Sequence, residues 1–441
     1  MRSFMAALTA VLLPTCAVLA EDWPQWMGPT RDGIWTETGI LEKFPEGGPK
    51  KLWSVPVGGG YSGPAVVGGK VFLTDYQRTV GEFKNNPGER AILRGKERIF
   101  CVDAKTGVEQ WKIEYDCPYS VSYPAGPRCT PTIADGKLYA LGSMGDLYCT
   151  TLAGEVVWKK SLMAEYKIPV PMWGFCGHPL VYKNLLLCLV GGDGTTAVAF
   201  EKNTGKEVWR ALSSPEPGYC PPSIINAGGV DQLVIWHAKS MNGLDPLTGK
   251  RYWSVPLEPN YGMSIMMPRK HGDHLFAGGI GNKSALVKLT ADKPGADLVW
   301  SGKRTNSLYP VNATPIVDGE MIYGVDQPGQ LRGVVFETGE RKWATFEPVL
   351  GMEKDEDFRG GSSGTAFLVK NDKRYFIFGE TGELTIAKLS PTAYKPLVKA
   401  KLLEPTSECF GRKVVWSCPA FADKCIFVRN DKELACYSLA K

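Results

Sequence analysis

Short apolar runs recur along the chain, each closed by a Gly or Asp turn and followed by a second apolar run. The first is Pro64-Ala-Val-Val-Gly-Gly-Lys-Val71-Phe-Leu. It returns as Pro131-Thr-Ile-Ala-Asp-Gly-Lys-Leu138-Tyr-Ala and Pro179-Leu-Val-Tyr-Lys-Asn-Leu-Leu186. Later copies are Pro315-Ile-Val-Asp-Gly-Glu-Met-Ile322-Tyr and Pro419-Ala-Phe-Ala-Asp-Lys-Cys-Ile426-Phe, with weaker ones near Pro222, Pro268 and Ala366. Strand, tight turn, strand is a hairpin signal. Eight copies predict eight units.

A second phrase alternates with the first: Asp103-Ala-Lys-Thr-Gly107-Val-Glu-Gln-Trp111, Lys202-Asn-Thr-Gly205-Lys-Glu-Val-Trp209, Asp245-Pro-Leu-Thr-Gly249-Lys-Arg-Tyr-Trp253 and Glu337-Thr-Gly339-Glu-Arg-Lys-Trp343. With Trp53, Trp158 and Trp300 these tryptophans recur at intervals of roughly 40–60 residues, the length of one propeller blade. Each unit therefore reads A-turn-B-loop-C-turn-D, with the tryptophan on D. The pattern predicts an all-β, eight-bladed β-propeller of WD-like repeat architecture. The last unit ends at Leu439 without a tryptophan of its own, while Lys50-Lys-Leu-Trp53-Ser-Val-Pro has no partner at the start. The Trp53 segment is thus expected to be the outer strand of the last blade and to close the ring.

The A–B and C–D turns share one face and the D–A and B–C connections the other. The second set is longer and less regular, and loops on a rigid scaffold carry function. Its largest member, residues 76–97, is expected as a loop insertion in blade 1: a lid, a partner arm or a solvated loop. Cys101, Cys149 and Cys436 hold the column occupied elsewhere by Ala199, Gly243 and Gly333, a place for a small buried side chain.

Composition changes the picture little. The 441 residues carry a net charge of +5 and no basic stripe interleaved with aromatics, which excludes nucleic acid as a partner. Residues 1–20 read as a signal peptide: Arg2, an apolar run from Phe4 to Leu13, and Val18-Leu19-Ala20 as the cleavage site. One propeller domain over 21–441, in the periplasm or outside the cell, is expected. Pro14 and Thr15 are poor residues before a lipidated cysteine and argue against a lipoprotein through Cys16. No later segment reads as a transmembrane helix. Export permits disulfides, for which Cys117 with Cys129 and Cys409 with Cys418 are the candidates.

The Ala/Asp-x-x-Thr-Gly-x-x-x-Trp phrase resembles the tryptophan-docking repeat of pyrroloquinoline-quinone-like (PQQ-like) propellers over nearly the whole mature chain, Asp22 to Leu439. Tyr123-Pro-Ala-Gly-Pro-Arg128-Cys-Thr-Pro131 and Trp23-Pro-Gln-Trp26-Met-Gly28-Pro are similar to exported propellers of that group. The resemblance implies one of two things. The first is a quinoprotein dehydrogenase, holding pyrroloquinoline quinone and Ca²⁺ at the channel mouth and oxidising an alcohol or sugar. The second is a non-catalytic propeller like the lipoprotein of the outer-membrane β-barrel assembly machinery. The chain departs from many alcohol dehydrogenases of the group in having no Cys-Cys pair, and it lacks the Cys-x-x-Cys-His of an attached haem.

The D–A connections bring Tyr61, Arg128, Trp173, His178, Tyr219, Asn312, Arg359 and Trp416 to the channel mouth. A flat anionic quinone needs aromatic faces, supplied by Trp173 or Trp416, and arginine forks, supplied by Arg128 or Arg359. His178 and Asn312 complete the expected cofactor site, and Asp193 is the expected catalytic base. The competing expectation is that the aromatics plug the channel and the arginines pair with carboxylates. After strand B, Asp75, Asp326 and Glu380 share one register, with Asp146, Asp193 and Asp431 slightly further along. Such acids hold Ca²⁺, attract a basic partner, or support turns. His178 and His237, with Cys220 nearby, form either a metal pair or ordinary structural histidines. No catalytic constellation stands clear of the repeat. The expected function is therefore a ligand- or protein-binding scaffold of the cell envelope, working through the D–A/B–C face. The alternative is a PQQ- and Ca²⁺-dependent oxidoreductase.

Overall fold

Among the described residues eight antiparallel sheets, each with its A strand innermost and its D strand outermost, form the ring, and a separate hairpin pairs Ser407–Cys409 with Arg412–Val414. The computed structural model describes residues 21–353 and 362–441. The expected signal peptide, Cys16 and Arg359 lie outside the described residues. Blade 1 is typical in order: Ala65–Val67, Lys70–Val80, Ala91–Asp103 and Glu109–Asp116. Its inner strands alternate or run apolar because both sheet faces meet a neighbouring blade. Phe72 and Ile99 of blade 1 pack on Ile133 and Leu138 of blade 2, and such seams, repeated round the ring, form the core.

Ring closure is as the sequence predicts. Lys51–Pro56 pairs antiparallel with Glu433–Ser438, so the eighth sheet takes three strands from one end of the chain and one from the other. Trp53 lies opposite Cys436, just as Trp111 lies opposite Cys101 and Trp158 opposite Cys149. The small-residue column exists because the indole needs the space across the strand.

The tryptophans dock blade to blade. Trp53 Nε1 donates to the Ala104 carbonyl at 2.9 Å, Trp111 to Leu152 at 3.0 Å and Trp158 to Lys202 at 3.0 Å. Each indole covers the turn glycine of the following blade. Gly107 sits at φ 74° with the place of a Cβ only 2.9 Å from the Trp53 ring, so glycine is required twice over. The series is imperfect. Trp253 bonds Gln232 of its own blade, and the outer strand of blade 7, Tyr394–Lys401, carries no tryptophan.

Two features differ from expectation, and a third is added to it. The insertion expected as a loop over 76–97 is mostly strand: Tyr76 to Val80 pair with Arg94 to Glu97, and Tyr76 stacks on Tyr119 at 3.9 Å. Only 81–90 remain a loop, and Arg90 ties its end to the Ser120 carbonyl at 2.7 Å and the Val170 carbonyl at 3.0 Å. The Cys117–Cys129 and Cys409–Cys418 disulfides do not form: all four are free thiols, because Cys117 turns toward Asp146 and Cys129 toward the Phe175 carbonyl. Finally, the segment before Trp53 is part of the fold and fills the channel from the A–B side. Trp23 bridges to Val66, Trp35 is fully buried against Phe376 and Phe421, and Arg31 donates to the carbonyls of His178, Pro179 and Pro222. Burial lowers the Arg31 pKa to about 9.

Candidate functional site

The plug stops short of the D–A face and leaves a cavity of about 670 Å³ in the channel mouth. Trp26, the last large side chain of the plug, forms its floor, stacked on His178 at 4.9 Å. The D–A segments supply the walls, and Pro87 and Gly88 of the blade 1 arm reach over to join them. The volume and largely apolar lining are those of a small-molecule site.

Seven of the sequence-predicted residues line it: Tyr61, Arg128, Trp173, His178, Tyr219, Asn312 and Trp416. Asp193 does not. It is exposed on the B–C connection of blade 3, accepts from the Ser213 hydroxyl at 2.6 Å, and is absent from the cavity wall.

Arg128 faces the cavity with its ring-like plane over Tyr61, 5.3 Å from the ring centre. Its donors point elsewhere. Nε donates to the Trp173 carbonyl at 2.8 Å, one terminal nitrogen to Gly126 and to Ser143 Oγ, and the other to the carbonyls of Ser122 at 2.9 Å and Tyr123 at 2.6 Å. A guanidinium has five N–H groups, and all five are engaged. Arg128 is the knot of the Ser122–Arg128 loop, where Tyr123 is held at φ 51°.

His178 accepts from the Thr130 amide through Nδ1 at 3.0 Å. Burial, and then the nearby Arg31 charge, hold its pKa down to about 3, so the imidazole is neutral. His237 accepts from the Lys239 amide at 3.2 Å, and Cys220 faces the Met266 carbonyl at 3.3 Å. Neither histidine is part of a metal-ligating group among the described residues.

The acids after strand B meet arginines. Arg98 donates to Asp75 at 2.7 Å, Arg332 pairs with Asp326 at 2.5 Å and Arg412 with Glu380 at 2.6 Å. Each carboxylate also holds a D–A segment. Asp75 accepts from the Gly58 amide, Asp326 from Tyr309, and Glu380 from Thr365 and from Trp416 Nε1 at 3.0 Å. Asp431 does the same for Gly60. These acids position the walls of the cavity without lining it.

Sequence reasoning missed Trp26, Tyr123 and Thr130. Four lining residues, Tyr61, Tyr123, Thr130 and Tyr219, have buried hydroxyls without a hydrogen-bond partner. A buried hydroxyl left unpaired costs about 1–3 kcal/mol. No Asp, Glu or Lys lines the cavity among the described residues. Pyrroloquinoline quinone, with several carboxylates, and Ca²⁺, with its need for oxygen anions, do not fit this lining. Among the described residues it offers one arginine with no free donor and no carboxylate.

Eight blades, tryptophan docking and a ligand-sized hollow at the loop face define a PQQ-like propeller by class. The family profile described as "Outer membrane protein assembly factor BamB" matches residues 95–345 and 237–440, and the chain belongs to that PQQ-like β-propeller family. No curated protein sequence matches it. Among solved structures it is similar to the quinohemoprotein alcohol dehydrogenase from Comamonas testosteroni, with 13% identity, a TM-score of 0.59, and 95% of this chain and 80% of that one covered. The computationally designed Ika8 protein aligns at 10% identity and a TM-score of 0.50, covering 88% and 99%. BamB from Moraxella catarrhalis aligns at 13% identity and a TM-score of 0.39, covering 88% and 97%. The first two likenesses show the fold. Among the described residues, no helix is long and apolar enough to cross a membrane.

Proposed function

We propose that this chain is an exported binding module of the cell envelope whose working site is the channel-mouth cavity. The observation that carries this reading is the hollow of about 670 Å³ in the channel mouth, walled by Tyr61, Tyr123, Trp173, Tyr219 and Trp416. Export rests on the leader-like composition of residues 1–20. A small ligand is favoured over an extended partner peptide because the hollow, with Trp26 at its floor, has the volume and largely apolar lining of a small-molecule site. The quinone-dependent oxidoreductase is disfavoured because Arg128 has no donor left for a carboxylate and Asp193 lies off the cavity wall.

Calorimetric titration of the leader-free protein with pyrroloquinoline quinone, with and without Ca²⁺, tests the choice. No saturable heat is the expected result. Stoichiometric, Ca²⁺-dependent binding would overturn the binding-module reading and call for a screen of alcohols and sugars with an artificial electron acceptor.

A further inference from the structure

Cys101, Cys149 and Cys436 each stand opposite a docking indole. Each also has a partner on strand B: Phe72, Tyr139 and Phe427. The residue two places before that partner lies diagonally across from the cysteine, on the same face of the sheet. In blade 1 this place holds Lys70 and in blade 2 Lys137. In blade 8 it holds Cys425, which the register sets opposite Ser438 while Phe427 meets Cys436. The repeat therefore brings two thiols together on adjacent strands of the closing blade. Both belong to one apolar cluster, and both are free thiols. Cys436 is fully buried and Cys425 is half-buried.

We propose that Cys425 and Cys436 are a redox-active pair, which a low-molecular-weight disulfide oxidises to a cross-strand bond stapling strands B and C of the closing blade. The Cys425 sulfur attacks one sulfur of the oxidant, forms a mixed disulfide and releases the first small thiol. The Cys436 sulfur then attacks Cys425 and displaces the second, its proton going to the departing thiolate. The protein gives up two electrons and two protons, and the oxidant takes both as two thiols. Exposure sets the order of the steps, because an oxidant reaches half-buried Cys425 and meets Cys436 only through it.

The two thiols already act on each other. Burial pushes the equivalent Cys101 up to about 12 and Cys149 up to about 11. Hydrogen bonding with the Cys436 thiol instead holds Cys425 below its ordinary value, against burial and the charges of Asp423 and Glu37. That favours Cys425 as the attacking thiolate. Geometry makes the bond reversible. Diagonal neighbours lie about 7–8 Å apart at Cα, and a disulfide spans at most about 6.8 Å, so the strands must draw together to close it. A bond closed under strain is readily reduced. Its place couples it to closure: Cys436 pairs with Trp53 of the closing strand, and the Lys424 amide beside Cys425 donates to Glu37 of the plug at 2.8 Å.

The test equilibrates the folded, leader-free chain with graded ratios of oxidised to reduced glutathione. Acid quenching, alkylation in denaturant and peptide mapping follow. Cys425 and Cys436 should lose their labels together and appear as one cross-linked peptide pair, while Cys101 and Cys149 stay labelled. Excess reduced glutathione should restore both labels. Cys436→Ser should trap Cys425 as a mixed disulfide with glutathione, and Cys425→Ser should leave Cys436 labelled throughout. Unchanged far-ultraviolet circular dichroism would show that both variants fold. Full labelling of both cysteines at the highest oxidant ratio would overturn the proposal, as would a mixed disulfide that goes no further in the unaltered chain. A cross-link that excess reduced glutathione fails to open would overturn its reversibility.

Discussion

Trp26 lies flat on His178, with ring centroids 4.9 Å apart and planes 14° apart, so a residue from the very start of the described chain rests on one from blade 3. The imidazole in this stack is neutral, and its titration is coupled to folding. In the unfolded chain it takes up a proton near pH 6.5, whereas in the folded protein it does so only near 3. Between those values the unfolded state binds the extra proton. Stability from this group is therefore full above about pH 6.5 and falls as pH drops through the window, at up to ~1.4 kcal/mol per pH unit. Urea unfolding at a series of pH values should show this slope. His178→Asn, which keeps an acceptor for the Thr130 amide, should flatten it, and an unchanged slope would mean that His178 is not the group responsible.

Docking of tryptophans on glycines can be separated from simple backbone strain. Gly107 and Gly136 are both left-handed, at φ 74° and 72°, but only Gly107 has an indole above it; nothing lies within 4 Å of the Cβ position at Gly136. Gly136→Ala should cost about 1–2 kcal/mol from the backbone alone. Gly107→Ala should cost at least about 1 kcal/mol more, because Trp53 must move. Equal midpoints in thermal or denaturant unfolding would show that the docking contact contributes little.

Glu380 is only 2% exposed and holds Arg412, Trp416 and the Thr365 amide at once. Glu380→Ala leaves Arg412 without its counter-charge and should cost about 3 kcal/mol or more. It also frees Trp416 and should weaken any ligand of the cavity. Because Asp75, Asp326 and Glu380 are already neutralised by arginines, added Ca²⁺ or a chelator should move the melting temperature by less than about 1 °C. A saturable Ca²⁺-dependent rise would show that these pairs open to admit the ion.

The thiols give a covalent check. Alkylation of the unfolded protein without reductant should label Cys117, Cys129, Cys409 and Cys418, and prior reduction should add no mass at these positions. A mass gain on prior reduction that maps to either pair would restore the disulfide.

The blades were legible because they repeat. Hairpin, turn glycine and tryptophan return in order, and a small residue opposite each indole follows from the space it needs. The Asp75–Arg98 pair had a signal as well, since the two stand directly opposite on strands B and C. The plug did not, because Trp26 and Arg31 belong to a stretch that occurs once and has no register to compare. Arg128 misled for a different reason. Its partners are five acceptors, four of them main-chain carbonyls, and sequence does not show where carbonyls point. Unpaired hydroxyls are invisible in the same way, since what marks Thr130 is the absence of a neighbour.

Ser54 and Glu433, hydrogen-bonded across the closing strand pair, are separated by 379 positions. The strand Lys51–Pro56 therefore has no sheet to complete until the eighth blade exists. Long-range pairing of this kind is slow and exposed to misassembly. The hollow above Trp26 owes its floor to a segment that lies outside the eight sheets, so a copy lacking that segment keeps the blades but loses the floor.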